Sequence, residues 1–153
     1  MTAPTAPFSL RAHHLMCVTT YQGKGYSADF VANMNRVWHA LRSGQFPQVE
    51  VLAVADPLCQ SCPNLQDPSE PASCQFQRSI EARDRRLLAA MGWNEGEVVT
   101  LKPVMEHILA NHAELLASVC VGCDWIGICG QQRFTWLEED PPVPLPVLDS
   151  PGR

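Results

Sequence analysis

The clearest pattern along the chain is Phe30, Val31, Met34, Val37, Trp38 and Leu41, apolar positions three and four residues apart. That period places them on one face of an α-helix over about 28–43, with Ser27 as its N-cap and Gly44 as its stop. A second helix is expected over about 80–91, capped by Ser79, with Ile80, Leu87, Leu88 and Met91 on its buried side and Gly92 at its end. Thr100 is expected to cap a helix over about 101–111, with Pro103 tolerated in the first turn. A further helix over about 112–119 runs straight into Cys120. Near the start, Ser9 fits the N-cap of a helix over roughly 10–21, on which Leu10, His14, Cys17 and Tyr21 share one stripe. Val49 to Val54 is the one β-rich segment and predicts a short strand. The expected fold is mainly α: a small single-domain helical protein of about five helices, with one short strand or hairpin and two cysteine-rich metal-binding loops.

The ends of the chain lack such patterns. Residues 1–8 suggest a disordered leader, 9–138 a single domain, and the acidic, then Pro-rich stretch 139–153 an extended or disordered tail. At 153 residues, with 46% hydrophobic and 18% charged positions, the middle part can bury an ordinary globular core. The net charge of −5 changes the list of partners. The densest basic patch, Arg83-Asp84-Arg85-Arg86, is short and interrupted, so neither nucleic acid nor an anionic membrane surface is expected as a partner. The first residues have neither a positive nor an apolar region, so no signal peptide is expected. No apolar run approaches the ~20 residues of a membrane span. These features predict a cytoplasmic protein.

That expectation bears on the seven cysteines. An odd number cannot close into disulfides, and cytosolic thiols are kept reduced. Two triplets stand out: Cys59-x-x-Cys62-Pro63 with Cys74, and Cys120-x-x-Cys123 with Cys129. A C-x-x-C step aims two thiolates at one centre. Cys62-Pro63 matches the habit of iron–sulfur runs, in which a proline follows a ligating cysteine. The glycines around Cys120–Gly130 would let backbone N–H groups approach sulfide, and Trp125, Ile126 and Ile128 would shield a cluster from water. Zinc fits less well, because zinc ribbons set their knuckles about 15–20 residues apart, whereas most of the domain separates Cys62 from Cys120. A metal-free redox pair needs a C-x-x-C at a helix start after a strand, and neither triplet has that setting. His13 and His14 sit beside the seventh thiol, Cys17, with His13 four residues before it on a helix, so either could complete a ligand set. A lone helical histidine is more often structural, and His39, His107 and His112 are taken that way.

Arg11-Ala-His-His-Leu-Met-Cys17, Gly23-Lys-Gly-Tyr-Ser27 with Phe30-Val31, Cys59-x-x-Cys62-Pro63, and Cys120-x-x-Cys123-x-Trp125 with Cys129 occur in that order. The chain thereby resembles a small bacterial and archaeal family, domain of unknown function 1284, over about residues 9–133. Members open on an R-P-H-H-L-L-C-like motif and are suspected iron–sulfur proteins. Here Ala12 stands where the family often has Pro, and Met16 where it often has Leu. The resemblance adds weight to iron–sulfur over zinc and marks Arg11, His13, His14 and Cys17 as more than helix filler; it supplies no substrate. The function expected is binding an iron–sulfur cluster for electron transfer or redox or iron sensing, with a redox partner protein. The ligand candidates are Cys59, Cys62, Cys74, Cys120, Cys123, Cys129 and Cys17, with His13 and His14. Either one cluster ([4Fe–4S] favoured, [2Fe–2S] allowed) or two would fit, the second arrangement using one triplet per centre with Cys17 and a histidine in the fourth positions. A cluster with only three cysteines would leave an open iron and make the protein an enzyme. The alternatives are a structural zinc module for protein interaction and a metal-free thiol redox enzyme.

Overall fold

The computed structural model describes residues 6–145, Pro68 excepted. Six α-helices and a three-stranded sheet form within them. In chain order they are β1 (Phe8–Arg11), α1 (His14–Thr20), α2 (Ala28–Arg42), β2 (Gln48–Leu52), α3 (Gln77–Met91), β3 (Val98–Thr100), α4 (Leu101–Ala110), α5 (His112–Val119) and α6 (Ile126–Cys129). Short 3₁₀ turns lie at Cys59–Ser61 and Thr135–Leu137. No helix among the described residues is long and apolar enough to cross a membrane.

Helix α2 follows its apolar pattern closely. Ser27 accepts the Phe30 N–H at its N-terminus, Met34, Val37, Trp38 and Leu41 are buried, and Gly44 takes the left-handed φ of +85° just past its end. Trp38 is fully enclosed, and its indole N–H donates to the Val18 carbonyl at 2.8 Å, tying α2 to α1. Helices α4 and α5 also occupy their expected spans, and α3 ends at Gly92 (φ +71°). It starts earlier than expected, at Gln77, and Ser79 does not cap it: the Ser79 hydroxyl donates back to the Phe76 carbonyl. Thr100 precedes α4 but makes no capping bond with its side chain.

The single strand or hairpin expected is instead a sheet of order β1-β2-β3, with β1 parallel and β3 antiparallel to β2. Residues 10 and 11, expected in the first helix, and Phe8, expected in a leader, belong to β1. Tertiary pairing overrides the local pattern here. Leu10 and Arg11 align with Val51 and Leu52, the Ser9 hydroxyl donates to Glu50 rather than capping a helix, and Ala12 N–H continues the ladder to the Leu52 carbonyl. The helix begins only at His14. Strand β3 is three residues long, too short to show a period, and passes directly into α4.

Leu10, Val49, Val51 and Val99 on the sheet, Leu15 and Val18 on α1, Leu87 on α3 and Ile108 on α4 form one continuous core. The acidic stretch after Glu138 has no regular structure as far as residue 145, but Val143 packs into the core and its carbonyl lies 2.9 Å from His39 Nε2. The remainder of the expected tail, 146–153, and residues 1–5 of the expected leader lie outside the described residues.

Candidate metal centre

Helix α1 carries Cys17 into a cavity that both cysteine segments also line. The upstream segment is an irregular loop with a 3₁₀ turn at Cys59–Ser61 and an isolated bridge between Leu65 and Cys74. The downstream segment folds back on itself through Cys123 N–H to the Cys120 carbonyl and Cys129 N–H to the Trp125 carbonyl. Gly122, at φ +78°, makes the Cys120–Cys123 turn in a conformation that a side chain would strain. Between α1, α3 and the two segments lies a cavity of about 300 Å³.

Eight of the nine sequence candidates line this cavity. His13, His14 and Cys17 come from the α1 side, Cys59, Cys62 and Cys74 from the upstream loop, and Cys123 and Cys129 from the downstream one. Cys120 does not line it; it is buried in the core against which Cys123 and Cys129 pack. All seven thiols are free of disulfides. No three cysteines among the described residues come together closely enough to share a single ion. Trp125 and Ile128 border the cavity as a shield would, whereas Ile126 turns outward and is 40% exposed.

Five of the thiols are in an environment that opposes ionisation. Burial pushes Cys17 well above the ordinary thiol range, and the neighbouring sulfurs of Cys129, Cys123 and Cys120 add to it, with Arg83 acting the other way. Cys120 is pushed up to about 12 by burial and then by Cys123 and Cys129. Burial also raises Cys59, Cys62 and Cys129. Without a cation these groups are inert thiols; a metal would displace their protons.

Two buried carboxylates organise the histidines. Asp84, on α3, accepts from Arg11 Nε at 2.7 Å, from the His13 backbone N–H at 3.0 Å, and lies 2.6 Å from His13 Nδ1. Burial alone would raise Asp84, but His13 and the Arg11 guanidinium outweigh it and hold the carboxyl below its ordinary range. Arg11 already neutralises Asp84, and burial followed by the neighbouring His14 lowers His13 to about 4. His13 is therefore a neutral ring whose Nδ1–H donates to Asp84, which leaves Nε2 with its lone pair for the cavity. Asp56, just before the upstream loop, accepts at Oδ2 from the Arg11 N–H (2.6 Å) and faces His14 Nδ1 at 2.7 Å; its Oδ1 accepts the N–H groups of Leu58 and Cys59. The two imidazoles lie 4.4 Å apart, centroid to centroid.

His14, Asp56 and Cys59 also form a compact group, offering a ring nitrogen, a carboxylate oxygen and a sulfur all within 4.8 Å of one another. Both Asp56 oxygens are already saturated by four donors, so Asp56 orients the site and His14 and Cys59 are its free donors. A carboxylate behind a histidine is the usual support of a metal-bound imidazole.

Sequence reasoning missed Asp56, Asp84 and Arg83. Asp84 and Arg83 look like surface charge in Arg83-Asp84-Arg85-Arg86, yet both are buried. The signal was present: Asp84 falls four residues after Ile80 and three before Leu87, on the apolar stripe of α3. His39 and His112 have structural partners, Val143 O and Gln132, and His107 is exposed.

No curated protein and no solved structure matches the chain. A family described as a protein of unknown function (DUF1284) matches residues 25–129, more than half of the chain, a span that holds both cysteine triplets and begins after the histidine pair. The chain belongs to this family, DUF1284.

Proposed function

We propose that this protein binds an iron–sulfur cluster through Cys17, Cys120, Cys123 and Cys129 and serves in electron transfer or in redox or iron sensing. The observation that carries the reading is that Cys17, from the other end of the chain, lines the same cavity as Cys123 and Cys129, which pack against the core that holds Cys120. Four thiolates satisfy one cluster. Five thiols raised above their ordinary range support a metal-bound state over free-thiol redox chemistry, which needs a lowered pKa. A bound cluster would supply a one-electron couple. The chain's own residues would hold it with sulfur, exclude water with Trp125 and Ile128, and surround it with donors: Thr20 Oγ1, Gln22 Nε2 and Arg83 Nε are buried at this cavity with no partner among the described residues. Such orphans fit an anionic group. Cys17→Ala, purified without oxygen, tests the assignment: it loses the iron and sulfide of the cluster, and retention of both would remove Cys17 from the ligand set.

A second reading rests on the His14–Asp56–Cys59 group, compact enough for one ion. There the upstream loop is ordered by zinc or iron held by His14 and Cys59, with Cys62 and Cys74 lining the same cavity, as a structural module for protein interaction. In that case Cys59→Ala lowers zinc content and leaves sulfide unchanged.

A further inference from the structure

Among the described residues, Arg83 is a buried cation without an anion. It sits on α3, 7% exposed, and its Nε has no partner among the described residues. The acids near it on the helix are committed elsewhere: Asp84 to Arg11 and His13, and Glu81 to Arg85. Arg86, one turn further on, donates to the Val119 carbonyl at the end of α5. Removing a guanidinium from water without a counter-charge is strongly unfavourable, so a fold that keeps one there implies an anion beside it. The groups that share its cavity are sulfurs: Arg83 lines it together with Cys17, Cys123 and Cys129. Thr20, one turn along α1 from Cys17, holds a second orphaned donor and lines the same cavity as Cys129.

We infer that Arg83 and Thr20 are the counter-charge and the hydrogen-bond donor of the cluster's thiolate ligands, and that together they raise its reduction potential. The inference rests on the cluster reading above. One-electron reduction adds a negative charge to a group already anionic through its four thiolates. A buried cation and an O–H aimed at ligand sulfur stabilise the reduced form more than the oxidised one.

The experiment compares the wild type with R83K, R83M and T20V, all purified anaerobically, by iron and sulfide content and by a redox titration with dithionite as the reductant. The expected result is equal iron and sulfide throughout, with R83M shifting the reduction equilibrium toward the oxidised form about tenfold, ~59 mV for one electron. T20V moves it less in the same direction, and R83K stays near the wild type. R83M or T20V with full iron and sulfide and an unmoved potential overturns the inference; if R83M does not fold, T20V decides it alone. Wild-type protein without sulfide overturns the cluster reading itself, a separate failure.

Discussion

His14 Nδ1 lies 2.7 Å from Oδ2 of Asp56, a carboxylate whose side chain is wholly buried. The same carboxylate receives the Arg11 N–H from the end of β1 and the Leu58 and Cys59 N–H groups from the start of the upstream loop. One side chain thus sets the histidine pair and the first cysteine in register. Asp56→Asn replaces one acceptor oxygen by a donor and leaves buried N–H groups facing it. The expected loss is about 3 kcal/mol in urea unfolding of metal-free protein, and a loss under ~1 kcal/mol would reduce Asp56 to an ordinary turn residue.

Acid should unfold the metal-free protein in two stages. His13 binds its proton near 4 when folded, against 6.5 for an ordinary histidine. Between these values the unfolded chain takes up a proton that the folded chain refuses, so stability falls as the pH drops from about 6.5 to about 4, by roughly 3 kcal/mol in all. Asp56 and Asp84 are shifted the other way, below the carboxylate value of 3.8, so their contribution is lost only under still stronger acid. Melting temperature against pH measures both. His13→Gln flattens the first stage; an unchanged slope in that variant would assign it to another group.

Arg11 spans acceptors that no single ammonium reaches. Its Nε donates to Asp84, one terminal nitrogen to the Ala53 carbonyl at 3.1 Å and the other to Gln77 at 3.3 Å. Arg11→Lys is therefore expected to cost about 2 kcal/mol. Arg85→Lys, in an exposed pair with Glu81, is expected to leave the melting temperature nearly unchanged. Equal effects of the two substitutions in thermal unfolding would contradict the account of the buried network.

The two cysteine triplets can be separated by content. Cys120→Ser and Cys123→Ser should each remove the bound group and lower the melting temperature. Cys62→Ser and Cys74→Ser should leave iron and sulfide unchanged if one centre is present and halve them if there are two. Full metal content and melting temperature in both downstream variants would place the site elsewhere.

The long helices were legible because α2, α4 and α5 bury one face and so show a period. Leu10 and Arg11, expected at the start of the first helix, are strand because β1 is fixed by β2, 41 residues away at the Ser9–Glu50 contact, and no local pattern records that pairing; the helix itself runs from His14 to Thr20. The candidate thiols could be named from their spacing, since C-x-x-C is a local geometry. Which elements meet around them could not: Asp56 looks like a turn residue before Pro57, and Asp84 and Arg83 look like surface charge. Only the fold shows that the first two are the carboxylates behind His14 and His13, and that the third is a buried cation whose Nε has no partner among the described residues.

The central claim is tested most directly by iron, zinc and acid-labile sulfide per chain on wild-type protein purified without oxygen. The account predicts iron with matching sulfide, about four of each for a single cubane. Zinc without sulfide would contradict it and leave the one-ion reading at His14 and Cys59.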